Sequence, residues 1–180
     1  MPAYIAFLRA VNVGGRFVRM AELRESLTAA GFGEVATHIQ SGNVLVTSRR
    51  RSCEAVAADL RATLSDRAGF DIPAIVRTPA QLRATVRAVR ETPALLSEDA
   101  RRNEAFADRA IPDEAAQTLA SWSREGERAV VVRGDSVLAE LGVDFHKSTM
   151  TNARIERLTG CTTTWRDLKV VRDLDERWGA

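Results

Sequence analysis

The order of hydrophobic periods along the chain predicts an α+β fold: two tandem ferredoxin-like (split βαβ) α/β plaits with antiparallel sheets and extra helices. Three observations carry this expectation. Short runs of β-type residues alternate with stretches whose apolar residues recur every three or four positions. Two pairs of runs are joined by turn-forming residues, Ser41-Gly42-Asn43 and Gly134-Asp135, as hairpins are. The order β-α-β-β-α-β is complete within the first 78 residues and comes round again in the last 78. The expected organisation is a first α/β plait over 1–78, a helix and connector over 79–102, and a second plait with a C-terminal helix over 103–180. No residue-level identity links the halves, so the duplication rests on element order.

Residues 3–11 form a nearly continuous apolar run, which suits a central strand. Met20, Leu23, Leu27 and Ala30 then share one helical face, and Gly31 is the stop. Strands follow at 35–40 and 44–47. Ser52 is placed to cap a helix that buries Val56, Leu60 and Leu64 and ends at Gly69. A fourth strand is expected over 72–77, with Pro73 at its start. Thr78-Pro79 opens a helix striped by Leu82, Val86 and Val89, and the polar stretch 91–102 reads as a connector. In the second half, a weak strand is expected over 104–111, a helix starting at Pro112-Asp113-Glu114, and strands over 128–133 and 136–141. Thr151-Asn152 opens a helix closed by Gly160, residues 161–165 form the last strand, and Leu168, Val171, Leu174 and Trp178 stripe the terminal helix.

Composition bounds the partners. With 45% hydrophobic and 28% charged residues the chain has the makings of a core and is too apolar for disorder. A net charge of +2 supports nucleic acid as a partner only weakly and argues against a membrane surface. Residues 1–78 hold 10 basic and 7 acidic residues and 79–180 hold 16 and 17, so any anion binding is local. No apolar run approaches the ~18 residues of a membrane span. Cys53 and Cys161 are far apart and no leader is visible, which predicts reduced thiols in a cytoplasmic protein. The sequence carries no signal for oligomeric state.

In a plait, the Gly14-Gly15 loop and the Ser41-Gly42-Asn43 hairpin fall at one edge of the first sheet. Arg9, Asn12, Gly14, Gly15, Arg16, Ser41, Gly42 and Asn43 are therefore the candidate ligand-binding set. Backbone N–H groups in a glycine turn, a helix N-terminus and guanidinium groups are all donors, so the edge suits a small anionic ligand, a nucleotide among the candidates. The competing explanation for the glycines is turn conformation alone. A second candidate edge gathers His146, Lys147, Ser148, Asn152, Trp165 and Arg166 in the other half. No cofactor is expected, since neither G-x-G-x-x-G nor G-x-x-x-x-G-K-[ST] occurs. His38 and His146 lack neighbours at metal-ligand spacing, so no metal is expected either. No catalytic set is recognisable: Ser41 has no nucleophile elbow, and Cys53 suits a helix position as well as a reactive one.

Tyr4-Ile5-Ala6-Phe7-Leu8-Arg9-Ala10-Val11-Asn12-Val13-Gly14-Gly15, Met20-Ala21-Glu22-Leu23 and Ile39-Gln40-Ser41-Gly42-Asn43-Val44 resemble an uncharacterised bacterial family, domain of unknown function 1697. The family's C-terminal signature is echoed by Lys147-Ser148, Asn152 and Thr162-Thr163-Thr164-Trp165-Arg166. The resemblance implies a two-part α/β plait and brings no established activity. Ala10 stands where members usually have glycine, and Thr163-Thr164 where an Arg-Asn pair usually precedes the tryptophan, which weakens the second edge. Three alternatives to anion binding remain open: an RNA-binding module, by analogy of fold; an enzyme of unknown reaction using Ser41, His38 or Cys53 at the first edge; and a structural or assembly role through exposed sheet edges. For RNA, only Tyr4, Phe7 and Phe106 are placed to act as stacking platforms.

Overall fold

A computed structural model describes the chain except residues 13, 98, 123, 143–146 and 180. It divides into two compact units, Met1–Leu82 with Glu176–Ala180, and Arg83–Asp175.

The first unit carries β1 (Ala3–Leu8), α1 (Met20–Ala29), β2 (Gly33–His38), β3 (Asn43–Thr47), α2 (Cys53–Ala68) and β4 (Ala74–Arg77). Its sheet has the order β2-β3-β1-β4 with every neighbour antiparallel, as a split βαβ unit produces. β1 is central because β3 pairs along one side of it and the α2 crossover returns the chain to its other side as β4, while α1 leads to β2 at the edge beyond β3. Tyr4, Ala6 and Leu8 on one face of β1 join Leu23 and Leu27 of α1 and Val56, Leu60 and Leu64 of α2 in one core. Ile5 and Phe7 on the other face are also fully buried, which explains the unbroken apolar run. The Ser52 hydroxyl accepts from the Ala55 N–H, and Gly69 ends α2 at φ +73°. At the start of α3 (Pro79–Glu91), Thr78 Oγ1 accepts from the Gln81 N–H while Gln81 Oε1 accepts from the Thr78 N–H, a reciprocal cap.

The second unit carries β5 (Arg101–Ala107), α4 (Asp113–Ala120), β6 (Glu127–Val132), β7 (Ser136–Leu141), α5 (Asn152–Thr159), β8 (Thr163–Asp167) and most of α6 (Leu168–Trp178). The sheet order β6-β7-β5-β8 repeats that of the first. The fold is thus α+β in two similar halves, each with a four-stranded antiparallel sheet. Ala105, Ala107, Leu119, Val137, Ala139 and Ile155 lie in its core. Thr151 caps α5 by accepting from the Arg154 N–H, and Gly160 closes it at φ +68°.

Most strand bounds differ from expectation, β2 and β8 by two residues at each end. β1 stops at Leu8 because Ala10 turns left-handed at φ +57°. β4 starts at Ala74, after Pro73, whose carbonyl takes the Arg9 N–H at 2.9 Å. β5 begins at Arg101, three residues before the expected start, and stops at Ala107. One of its polar residues, Arg102, is compensated across the sheet. Arg102 Nε lies 2.9 Å from Oε1 of Glu140, a carboxylate with no exposure, and Oε2 accepts from the N–H groups of Leu95 and Leu96 at 2.8 Å each. A charge so compensated can sit inside a sheet.

Candidate functional site

The structure brings the first set together. Phe7 pairs with Asn43, so the end of β1 and the start of β3 share an edge, and the Leu8 N–H donates to Gly42 O at 2.8 Å. Residues 9–19 leave this edge toward α1. Asn12 ties them to the hairpin: its Nδ2 donates to Gln40 O at 2.7 Å, and its Oδ1 accepts from the Val18 N–H at 2.8 Å. Asn43, fully buried, closes the hairpin from inside by donating through Nδ2 to Ser41 Oγ and His38 O. A Cβ on Gly42 would lie 2.9 Å from Leu8 Cβ, so this glycine is demanded by packing as well as by φ +75°. Asn12, Gly42 and Asn43 therefore hold the edge in shape.

What the edge presents outward is different. Gly14 and Gly15 are exposed at φ +60° and +81°, and a Cβ on either would meet nothing within 4 Å. Arg9 is half-buried. Arg16 is exposed, with its guanidinium 5.3 Å from the centre of the Phe70 ring. Asp71 is held below the usual 3.8, chiefly by the hydrogen bond from Arg61, with Arg16 contributing a smaller attraction. Residues 9–19 include three arginines and no acid. Sequence reasoning missed one member of this edge, Ile39, left-handed at φ +51°; Ala10, already marked by the resemblance as standing in place of a glycine, is left-handed at φ +57°. A β-branched residue rarely adopts that region, and such strain collects where a backbone shape is required.

In the second set, Trp165 and Arg166 are successive residues of β8 and so face opposite sides of the sheet. Trp165 packs on the core beside the helices, and its buried Nε1 has no hydrogen-bond partner among the described residues. Arg166 is buried; desolvation pulls its guanidinium down to about 10, and its Nη1 donates to Thr164 Oγ1 and Trp165 O. Asn152 Oδ1 accepts from the Thr163 hydroxyl, Ser148 Oγ accepts from the Met150 N–H, and Lys147 is exposed. His146 lies outside the described residues.

Glu127, which the sequence did not single out, anchors the segment that carries Ser148 and Thr149. Its carboxylate accepts from the Thr149 N–H at 2.6 Å, the Thr149 hydroxyl at 2.8 Å and Trp122 Nε1 at 3.4 Å. Burial alone would push this acid up, but the hydrogen bonds outweigh it and hold the group below its ordinary 4.5.

The remaining candidates have structural surroundings. His38 is half-buried with its ring edge-on to Trp178, centroids 6.4 Å apart. Cys53 donates to Gln81 Oε1 at 3.4 Å. Tyr4, Phe7 and Phe106 are buried, at 3%, 0% and 0% exposure, so none offers a face for a base to stack on. Among the described residues no helix is long and apolar enough to cross a membrane, and no group of three or more His, Cys, Asp or Glu is placed to hold a metal ion.

A family model described as protein of unknown function (DUF1697) matches residues 1–137. The conserved bacterial protein SP0830 from Streptococcus pneumoniae has a similar solved structure, with a TM-score of 0.77 and 21% identity, over 100% of this chain and 99% of that one. At that identity the likeness concerns the fold. No curated protein matches the chain.

Proposed function

For a chain that belongs to the DUF1697 family of proteins of unknown function, we propose a role in binding a small anionic ligand, a nucleotide among the candidates, at the edge where residues 9–19 meet the first hairpin. The observation that carries this reading is a difference between the two units. In the first, the Leu8 and Arg9 N–H groups donate to Gly42 O and Pro73 O; in the second, those of Ala107 and Asp108 donate to Asp135 O and Thr162 O. Arg9 and Asp108 thus hold the same place in their sheets. From there the second unit reaches its helix in residues 108–112, whereas the first uses residues 9–19. The fold needs five residues, and the first unit spends eleven, with two exposed glycines and three arginines. Connections longer than the fold requires are where binding function concentrates.

In this reading Arg9 and Arg16 supply charge, and Gly14 and Gly15 let the backbone approach the ligand. Asn12, Ser41, Gly42 and Asn43 hold the loop and hairpin in register. Left-handed backbone at residues 10, 12, 14 and 15 supports the reading, since anion-accepting backbone nests are built from such conformations.

A thermal-shift panel of nucleotides and phosphorylated metabolites tests the proposal. A ligand at 100 times its Kd adds about 2.7 kcal/mol to stability. The shift is expected to disappear in Arg9→Ala combined with Gly15→Val. No shift with any member, or an unchanged shift in that double variant, rules the site out.

A further inference from the structure

A cleft of about 410 Å³ lies at the opposite end of the first unit's sheet, where β3 leaves the sheet for α2. Its walls include Phe32, Ser48, Arg49, Arg50, Asp59 and Thr63. The volume falls in the range of small-molecule sites, and the cationic wall is held in place by its backbone. The Ser48 N–H donates to Pro2 O, the Arg50 N–H to Ser48 Oγ, and the buried Tyr4 hydroxyl to Arg50 O at 2.9 Å. Asp59 fixes the Arg50 guanidinium with contacts of 2.8 and 3.3 Å. Arg49, between these anchored neighbours, is exposed and enters no hydrogen bond or ion pair among the described residues. The Thr63 hydroxyl is likewise uncommitted among them.

The charges do not cancel. Arg49 and Arg50 line the cleft with one carboxylate, Asp59, which pairs with Arg50, so the Arg49 charge is left for a ligand to meet. The facing wall is the C-terminal end of α1, whose last turn satisfies itself: the N–H groups of Ala30, Gly31 and Phe32 return to Ser26, Thr28 and Leu27 carbonyls. That wall is apolar at Ala30 and Phe32, Ala62 of α2 adds a further apolar contact, and the partial negative charge of a helix C-terminus repels an anion. A ligand with one anionic end and an apolar body matches this division.

We infer that the cleft between α1, α2 and residues 48–50 binds a small phosphate monoester, its phosphate on Arg49, Arg50 and Thr63 and its organic body against Phe32 and Ala62. A planar guanidinium matches phosphate oxygens two at a time, which favours phosphate over a compact halide.

Isothermal titration of the full chain with phenyl phosphate, inorganic phosphate and benzoate tests this at fixed ionic strength. Phenyl phosphate is expected to saturate, with inorganic phosphate and benzoate each weaker. Arg49→Ala is expected to raise the phenyl phosphate Kd about tenfold and Thr63→Val several-fold, while Arg157→Ala, at an exposed arginine of α5, leaves it within about twofold. Both substituted side chains are uncommitted, so folding is expected to survive, and an unchanged circular-dichroism spectrum verifies it. An unchanged Kd in Arg49→Ala, benzoate binding as tightly as phenyl phosphate, or no saturation overturns the inference. Loss of binding in Arg9→Ala with Arg49→Ala unaffected assigns the phosphate to the hairpin edge and overturns it too.

Discussion

The two units share a strand order, yet they treat the end of their first strand in opposite ways. In the second, Asp108 is committed to neighbours at the surface: Oδ1 accepts from the Thr162 N–H at 3.0 Å, and Arg109 pairs with the same carboxylate at 3.2 Å. The connection is short and its charges cancel locally. In the first, Arg9 opens a long connection with no acid in it, and the strained residues Ala10 and Ile39 sit at its two flanks. One plait topology therefore does not dictate what its edge presents. The second edge shows the chemistry of a sealed connection, and the first shows what is left when the connection exceeds what the sheet needs.

The sharpest way to break this comparison is through the hairpin glycines. Gly42 and Gly134 are both left-handed, at φ +75° and +76°, but a Cβ collides with Leu8 only at Gly42 and meets nothing within 4 Å at Gly134. Gly42→Val is expected to cost about 3 kcal/mol or more, from the clash and the backbone together, whereas Gly134→Ala costs about 1 kcal/mol from backbone alone. Urea midpoints measure both; equal losses would mean that the first hairpin is no more tightly packed than the second.

Glu127 gives the next largest effect. Glu127→Gln is expected to cost about 1–3 kcal/mol, since a buried charge-assisted acceptor for Thr149 is lost. Because the folded carboxyl lies below its ordinary 4.5, its stabilisation is complete above that value and is lost as pH falls through the folded pKa. The parent should therefore lose stability on acidification below about pH 4.5 more steeply than Glu127→Gln. Parallel pH slopes would show that Glu127 titrates as an ordinary acid.

Asn12→Ala is expected to cost about 1–2 kcal/mol, through its two hydrogen bonds and its φ of +57°. Hydrogen exchange should rise at the Val18 amide while the helical amides of α5 are unchanged. The smallest effect has the opposite sign. Ala10→Gly relieves a left-handed alanine and is expected to stabilise by up to ~1 kcal/mol, read as a higher thermal midpoint. A lower midpoint would mean that the Ala10 methyl makes contacts worth more than the strain.

Much of the fold was legible because its signals are local. Ser52, Thr151, Gly69 and Gly160 act as caps or stops where the pattern placed them, and the hairpin residues fall between the strands that they join. β5 was misplaced because Arg101 to Glu104 look like a connector until Glu140, some forty residues away, supplies compensation for Arg102. Within the second candidate edge, the separation of Trp165 from Arg166 was already present in the chain, since alternation along a strand sends them to opposite faces.

Local order thus settled the elements, their sequence and the meeting of the two-glycine loop with the first hairpin, since periodicity and capping act within a few residues. Only the folded chain decided which of those residues are consumed in holding the edge together. Asn12 and Asn43 spend their amides on partners that the sheet brings near, Gly42 is pressed against Leu8, and Gly14 and Gly15 stay open, because contact across strands depends on register rather than on neighbouring sequence.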